Sequence, residues 1–257
     1  MIDELSKNIE SLLKEAGFNG KVSDLEPLTN GASNETWKFT FSENLVLQKM
    51  ILKKGPDTPS SLALPKSKEA EIQKIVFKEQ GPVPNVLAIS NEKSSLKNAY
   101  IMMLVEGESI PRKILRDDTY KQIRDSLAFQ CGQAMAKIHQ VPLNSLSWLD
   151  NKDITQELEE LYLTYEKFKQ PQPVFEYTFR WLRNQDFGDF PNTLIHADFR
   201  LGNLIFDKNG LQSVIDWELA HIGNPLQDLG WICVNSWRFG KHENVVGGFG
   251  EIEDLLN

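Results

Sequence analysis

The stretch from Leu194 to Trp217, LIHADFRLGNLIFDKNGLQSVIDW, constrains this chain more than any other. Two apolar runs, Leu204-Ile205-Phe206 and Ser213-Val214-Ile215, flank Asp207-Lys208-Asn209-Gly210. Asn-Gly between such runs is the strongest short hairpin signal. With the turn centred between Asn209 and Gly210, Phe206 faces Ser213, Ile205 faces Val214, Leu204 faces Ile215, and Asn203 faces Asp216. Directly opposed residues of an antiparallel pair lie ~4.5–5.5 Å apart. At that separation an amide oxygen and a carboxylate can hold one hard cation such as Mg²⁺ between them.

Asp198 precedes Asn203 by five residues, an offset that would put the two on different faces of a helix. A loop is therefore expected here, and Asp198-Phe199-Arg200 with Gly202 suits one. A carboxylate in such a loop can accept the proton of a hydroxyl as that hydroxyl attacks a phosphate.

His196-Ala197-Asp198, then Asn203, then Ile215-Asp216-Trp217-Glu218 resembles the H-x-D-x-x-x-x-N and I-D-W/F-E signatures of the aminoglycoside phosphotransferase and choline kinase superfamily, small-molecule relatives of the protein kinases. HADFRLGNLIFD followed by VIDWELAHIGNPLQDLGW looks most like the phosphotransferase domains related to those fused to some acyl-CoA dehydrogenases. The resemblance runs from about Gly31 to the end of the chain and is most specific from Asp198 to Trp231.

It implies an α+β, protein-kinase-like fold of two lobes. Residues 1–105 would form a nucleotide-binding lobe, a small antiparallel sheet with one main helix. Residues 106–257 would form a larger, mostly helical catalytic and acceptor-binding lobe. In the resembling family a further helical region opens near Asn257, so the expected fold lacks the last C-terminal helices. The implied cofactors are ATP and Mg²⁺, and the implied partner is a small molecule carrying a hydroxyl. Asp198 would be the base, His196 would brace its loop, and Arg200 belongs to the same catalytic set. Asn203 and Asp216 would bind Mg²⁺. Glu218 could reach a second metal or be hydrogen-bonded, and Asp228 would cap or anchor the helix that follows it.

In the N-terminal part, Leu28 to Glu35 separates the strand-like runs Val22–Leu28 and Thr36–Phe41, with no Walker A or G-x-G-x-x-G string. Gly31, Ser33 and Asn34 are the candidates there to cover the phosphates. The next strand, Leu45 to Ile51, should carry a phosphate-pairing cation. Alternation lets only one of Gln48 and Lys49 face the nucleotide; the family pattern favours the place of Gln48, the chemistry Lys49. Its acidic partner is Glu69 or Glu71 on a helix over Pro65 to Gln80. Counting back from Pro82-Val83-Pro84 favours Glu69. Tyr100 to Gly107 resembles the hinge of the family, with backbone groups of Met103 and Val105 at the adenine edge. Met103 reads equally as core filler.

Helical periodicity extends over Asp3–Ala16, Asp117–His139, Asp153–Phe168 and Val174–Gln185. The hydrophobic share of 40% suits a globular chain, and no apolar run approaches the ~20 residues of a membrane span. No signal peptide is recognisable, and Cys131 and Cys233 lack metal or redox spacing, so a cytoplasmic protein with reduced thiols is expected. A net charge of −8 argues against nucleic acid as a partner. The leading reading is an ATP-dependent small-molecule kinase, its acceptor a hydroxyacyl compound, sugar, amino alcohol or aminoglycoside. The alternative is a nucleotide-binding pseudokinase, and a metal hydrolase is a distant third.

Overall fold

The computed structural model describes residues 2–28, 35–56 and 63–257. The first helix, α1 (Ile2–Glu15), buries Ile9, Leu12 and Leu13, three positions on one face at helical spacing. It covers a five-stranded antiparallel sheet built from β1 (Lys21–Leu28), β2 (Glu35–Glu43), β3 (Val46–Lys54), β4 (Val86–Ile89) and β5 (Ala99–Met103). The strand order is β1-β2-β3-β5-β4. Beneath α1 lie Phe39, Phe41, Met50, Leu52 and Ile101, all buried.

The helix α2 (Lys66–Lys78) joins the sheet to the rest of the molecule. Its Ala70 packs with Ile51, Tyr100 and Met102 of the sheet. Its Ile72 and Val76 belong to the larger core beyond the sheet. Strand β3 runs three residues beyond the Ile51 expected from its apolar run, and this extension carries Lys53 into the interior.

Beyond the sheet come α3 (Pro111–Arg116), α4 (Leu127–His139), α5 (Ile154–Lys167) and α6 (Pro173–Leu182). The single helix expected over Asp117–His139 is corrected: Asp118–Tyr120 and Arg124–Ser126 are separate 3-10 turns, and α4 starts at Leu127. Side chains claim the local carbonyls there. Arg124 donates from Nε to Ile114 O at 2.8 Å and also to the Asp117 carbonyl, while the Ser126 hydroxyl donates to Ile123 O at 2.8 Å. Such bonds compete with a continuous helical ladder. Asp153 starts α5 through a capping box, accepting from the Thr155 N–H at 2.7 Å. Pro173 occupies the first turn of α6, a position that needs no N–H.

Short strands follow: β6 (Thr193–Ile195), β7 (Leu204–Asp207), β8 (Gly210–Val214) and β9 (His221–Gly223), then α7 (Leu226–Ile232) and α8 (Ile252–Leu256). β6 pairs with β9 and β7 with β8. Helix α4 is the spine of this part, with Leu127, Ala128, Cys131, Met135 and Ile138 buried against Phe199, Leu204, Trp217 and Leu255. α8 lies so close to α4 that a Cβ on Gly132 would meet the Leu255 carbonyl at 2.0 Å. No helix among the described residues is long and apolar enough to cross a membrane.

Candidate active site

The loop from His196 to Asn203 connects β6 to β7. It turns through a left-handed Ala197 (φ 65°) and Gly202 (φ 108°), as the five-residue offset between Asp198 and Asn203 required. His196 is fully buried. Its ring Nδ1 accepts the Asp198 N–H at 3.2 Å, and its Nε2 lies 3.0 Å from the Ile215 carbonyl. These partners assign the ring proton to Nε2. Burial holds the imidazole below its usual pKa, against the pull of Asp228 and the Ile215 carbonyl. The ring packs edge-on against Trp217 at 4.7 Å.

Asp198 is held from three sides. Its Oδ1 accepts from Arg200 Nε at 2.9 Å and from the Trp231 indole N–H at 2.7 Å. Its Oδ2 accepts from Asn203 Nδ2 at 2.6 Å. The Arg200 guanidinium in turn lies 4.4 Å from the centre of the Trp237 ring. His196, Asp198, Arg200 and Asn203 are thus brought together. Trp231 is an addition that sequence reasoning missed; the only signal was its place at the end of the motif-rich stretch.

Asp228 fits the anchoring half of its expected role and not the capping half. It does not cap α7, whose N-cap is Pro225; it sits in the first turn and turns its fully buried carboxylate to the loop. There it accepts the His196 N–H at 2.9 Å and the Ala197 N–H at 2.8 Å, and it lies 3.0 Å from His139 Nε2 at the end of α4. Burial raises its pKa, but the His139 hydrogen bond and the neighbouring imidazoles outweigh this and hold it below the usual carboxylate range.

The hairpin register also differs from expectation by one residue. Leu204 pairs with Val214 and Ile205 with Ser213, while Phe206 pairs with Leu211. Gln212 is the extra residue of a bulge, which a count from the turn could not anticipate. Asn203 therefore faces Ile215, whose N–H donates to its carbonyl at 2.9 Å, and Asp216 lies one residue beyond. Asp216 has a left-handed backbone, φ 72°, and its carboxylate turns to Lys53.

Lys53, and neither Gln48 nor Lys49, reaches Glu69 and Asp216. Its Nζ donates to Glu69 Oε1 at 2.7 Å and to Asp216 Oδ1 at 2.5 Å. Lys49 points instead to Glu106, 2.9 Å away at the exposed surface, and Gln48 stands opposite Phe41 at the outer end of β3. Of the two candidate acids, Glu69 is fully buried and accepts additionally from the Tyr100 hydroxyl at 2.9 Å and Lys66 Nζ at 2.6 Å. Burial pushes the Glu69 pKa up, and the ammoniums of Lys53 and Lys66 outweigh it, leaving the carboxyl below its ordinary value. Glu71 pairs with Lys68 at the surface.

At the hinge, the Met103 N–H is committed to the Asn85 carbonyl at 2.9 Å and the Leu104 N–H to the Lys49 carbonyl at 3.0 Å. The Met103 N–H is thus spent inside the sheet, while Val105 follows the end of β5. Gly31, Ser33 and Asn34 lie outside the described residues.

The donor set suits Mg²⁺, which takes oxygen ligands. Asn203 spends its amide N–H groups on Asp198, donating to the carbonyl at 3.0 Å as well as to Oδ2, so its amide oxygen is left as an acceptor. Carboxylate oxygens of Glu69, Asp216 and Glu218 lie within 4.8 Å of one another. Two of these three acids are already matched by Lys66, which lies 2.6 Å from Glu69 and 3.1 Å from Glu218. Asp216 is likewise engaged by Lys53 at 2.5 Å, so the oxygens that could hold a cation here are those of Asn203, Asp216 and Glu218.

The model of the phosphotransferase enzyme family matches residues 24–253. Mouse acyl-CoA dehydrogenase family member 10 is 27% identical over 247 residues, covering 90% of this chain and 22% of the relative. Human acyl-CoA dehydrogenase family member 11 is 28% identical over 246 residues, covering 87% of this chain and 30% of the relative. The chain thus spans less than a third of the length of these curated relatives. Among solved structures, the GDP complex of aminoglycoside 2'-phosphotransferase-IIIa superposes with a TM-score of 0.68 at 14% identity, over 91% of this chain and 79% of that one. The streptomycin-ATP-APH(2")-IIa ternary complex gives 0.60 at 20% identity, over 99% of this chain and 81% of that one. These structures share the two-lobed α+β kinase-like fold, and by the match across residues 24–253 the chain belongs to the phosphotransferase enzyme family.

Proposed function

We propose that this chain is a Mg²⁺-dependent phosphotransferase moving the γ-phosphate of ATP to a hydroxyl of a small molecule. One observation carries the reading: Lys53 bridges Glu69 of α2 and Asp216 beyond β8, while three donors hold the Asp198 carboxylate in place. Residues 1–105 would bind the nucleotide and residues 106–257 would supply the catalytic loop and the acceptor wall. Complexes with ATP and with GDP among the fold's solved members support a nucleotide site here.

In this reading Lys53, fixed by Glu69, steadies the nucleotide phosphates. Asp198 Oδ2, with one protein donor against two on Oδ1, keeps acceptor capacity for the incoming hydroxyl and takes its proton. His196 ties the loop to Ile215, next to Asp216, so base and nucleotide side keep a fixed spacing. Mg²⁺, held by Asn203 and Asp216, would supply neutralisation of phosphate charge. Positioning and charge account for most of the rate in such transfers. The acceptor reading spans hydroxyacyl compounds, sugars, amino alcohols and aminoglycoside-like molecules. The relatives' name favours the first and the streptomycin-bound neighbour favours the last. Because Lys53 provides the buried ammonium, the departure at Gln48 no longer argues for a pseudokinase.

The test is calorimetric titration of the native chain and of Asp216→Ala with Mg²⁺ and a non-hydrolysable ATP analogue, followed by an acceptor screen. Mg²⁺-dependent binding that weakens in the variant is expected. A folded native chain that binds no nucleotide overturns the reading.

A further inference from the structure

We infer that Lys66 is a second, positioning lysine of the nucleotide site, clamping α2 to Glu218 so that Glu69 and Lys53 stand assembled before nucleotide arrives. The inference deepens the phosphotransferase reading and rests on it.

Lys66 opens α2 and is only 3% exposed. Burying an ammonium costs several kcal/mol unless it is paired and hydrogen-bonded. Here it is paired twice, to Glu69 Oε2 at 2.6 Å and to Glu218 Oε2 at 3.1 Å. Its own N–H donates to the Asn98 side chain at 2.7 Å, which fixes the start of the helix. Glu69 spends Oε1 on Lys53 and Tyr100 and Oε2 on Lys66, so both of its oxygens are engaged. A single lysine would leave one oxygen of a fully buried carboxylate without its cation, and the side chain would be able to rotate away from Lys53.

The backbone marks the same junction independently. The Leu64 N–H, just before α2, donates to the Glu218 carbonyl at 2.7 Å. Just past the other end of α2, the Val214 N–H donates to the Pro82 carbonyl at 2.7 Å. Both flanks of α2 are therefore stitched to the segment Val214–Glu218 that also carries Asp216. Lys66 is the side-chain bond of that seam, and it ties the acid that orients Lys53 to the residue two beyond Asp216. No bond is made or broken in this role; Lys66 acts through Glu69 and is not a catalytic residue.

The experiment is calorimetric titration of Mg²⁺ and a non-hydrolysable ATP analogue into the native chain, Lys66→Met, Lys66→Arg, Glu218→Gln and the double variant Lys66→Met/Glu218→Gln, each checked for folding by circular dichroism. Lys66→Met is expected to weaken binding by about tenfold or more, in the range of couplings through packed ionic networks. Lys66→Arg is expected to recover part of the loss. The double variant should bind no more weakly than Lys66→Met alone, because the two residues act through one contact. Native affinity in a folded Lys66→Met, or strictly multiplicative losses in the double variant, overturns the inference while leaving the phosphotransferase reading intact. If Lys66→Met does not fold, the comparison of Glu218→Gln with Lys66→Arg decides. Native affinity in both then overturns the clamp. Absence of binding by the native chain sinks the phosphotransferase reading and the clamp with it.

Discussion

Lys53 and Asp216, 163 residues apart in the chain, meet at 2.5 Å, and Glu69 accepts from the same ammonium at 2.7 Å. Lys53→Met should therefore weaken Mg²⁺-nucleotide binding and lower kcat by about a hundredfold or more, the loss seen when one preorganised charge-stabilising group is removed. Lys49→Met should change neither by more than about twofold, since exposed ion pairs contribute little. Titration and steady-state kinetics on the two variants check this; the opposite ranking would return the phosphate-pairing role to Lys49.

Asp198→Asn should retain nucleotide affinity and lose about 10²–10⁴ in kcat, the usual contribution of a positioned base. Trp231→Phe removes one of the two donors to Oδ1 and keeps the ring volume. A smaller fall, about tenfold, is expected for it, in kcat and not in nucleotide affinity. The pair of measurements separates a base from a merely structural carboxylate: equal effects on affinity and turnover would argue against the base.

Asp228→Asn should destabilise the fold by about 3 kcal/mol at neutral pH, because an amide cannot replace a buried carboxylate that accepts two backbone N–H groups and faces His139. The sign of its pH dependence follows from the depressed native pKa. The stabilisation is fully present above the unfolded value of about 4 and is lost as the pH falls through the lower native value. Denaturant unfolding at pH 7 and at acid pH should show the gap between native and variant closing on acidification. A constant gap would mean that the carboxylate charge is not what matters.

Gly132→Ala reverses the ordinary rule for helices. Propensity alone predicts a gain of about 1 kcal/mol from that change. The new Cβ would meet the Leu255 carbonyl at 2.0 Å, a backbone atom that can yield only if α8 lifts from α4. A net loss of about 1–3 kcal/mol is expected, as for other overpacked sites. A lowered thermal midpoint confirms the contact, whereas a raised one would show that α8 is loosely held.

The local elements were readable where one rule governed them. α1, α2, α5 and α6 follow apolar periodicity, with a capping box at α5, and the loop at Asp198–Gly202 follows from an offset no helix could satisfy. Readings failed where a tertiary partner intervened. Periodicity ran straight through Asp117–Ser126 because it is blind to Arg124 bonding the Ile114 carbonyl. Counting from Asn209-Gly210 missed the bulge at Gln212, and with it the partner of Asn203. Lys53 escapes a reading that ends the strand at Ile51, because the continuation of β3 to Lys54 is what buries this charged side chain. The anchoring part of Asp228 is legible from its place in the first turn of α7, but nothing local tells that its carboxylate faces a loop 32 residues earlier.

The left-handed backbones of Ala197 and Asp216 have a consequence for how this protein fails. Neither is a glycine, and a non-glycine residue held in that region costs of order 1–3 kcal/mol that its surroundings must impose. Ala197 adjoins the proposed base, Asp198, and Asp216 is itself the proposed metal ligand. When warming or mild denaturant loosens the packing, these two peptides gain by relaxing, as do Asp24 in β1 and Asn44 and Leu45 between β2 and β3, while α4 carries no such burden. Phosphoryl transfer is thus expected to fade at temperatures where the helical core around α4 still stands: the proposed site ages before the scaffold behind it.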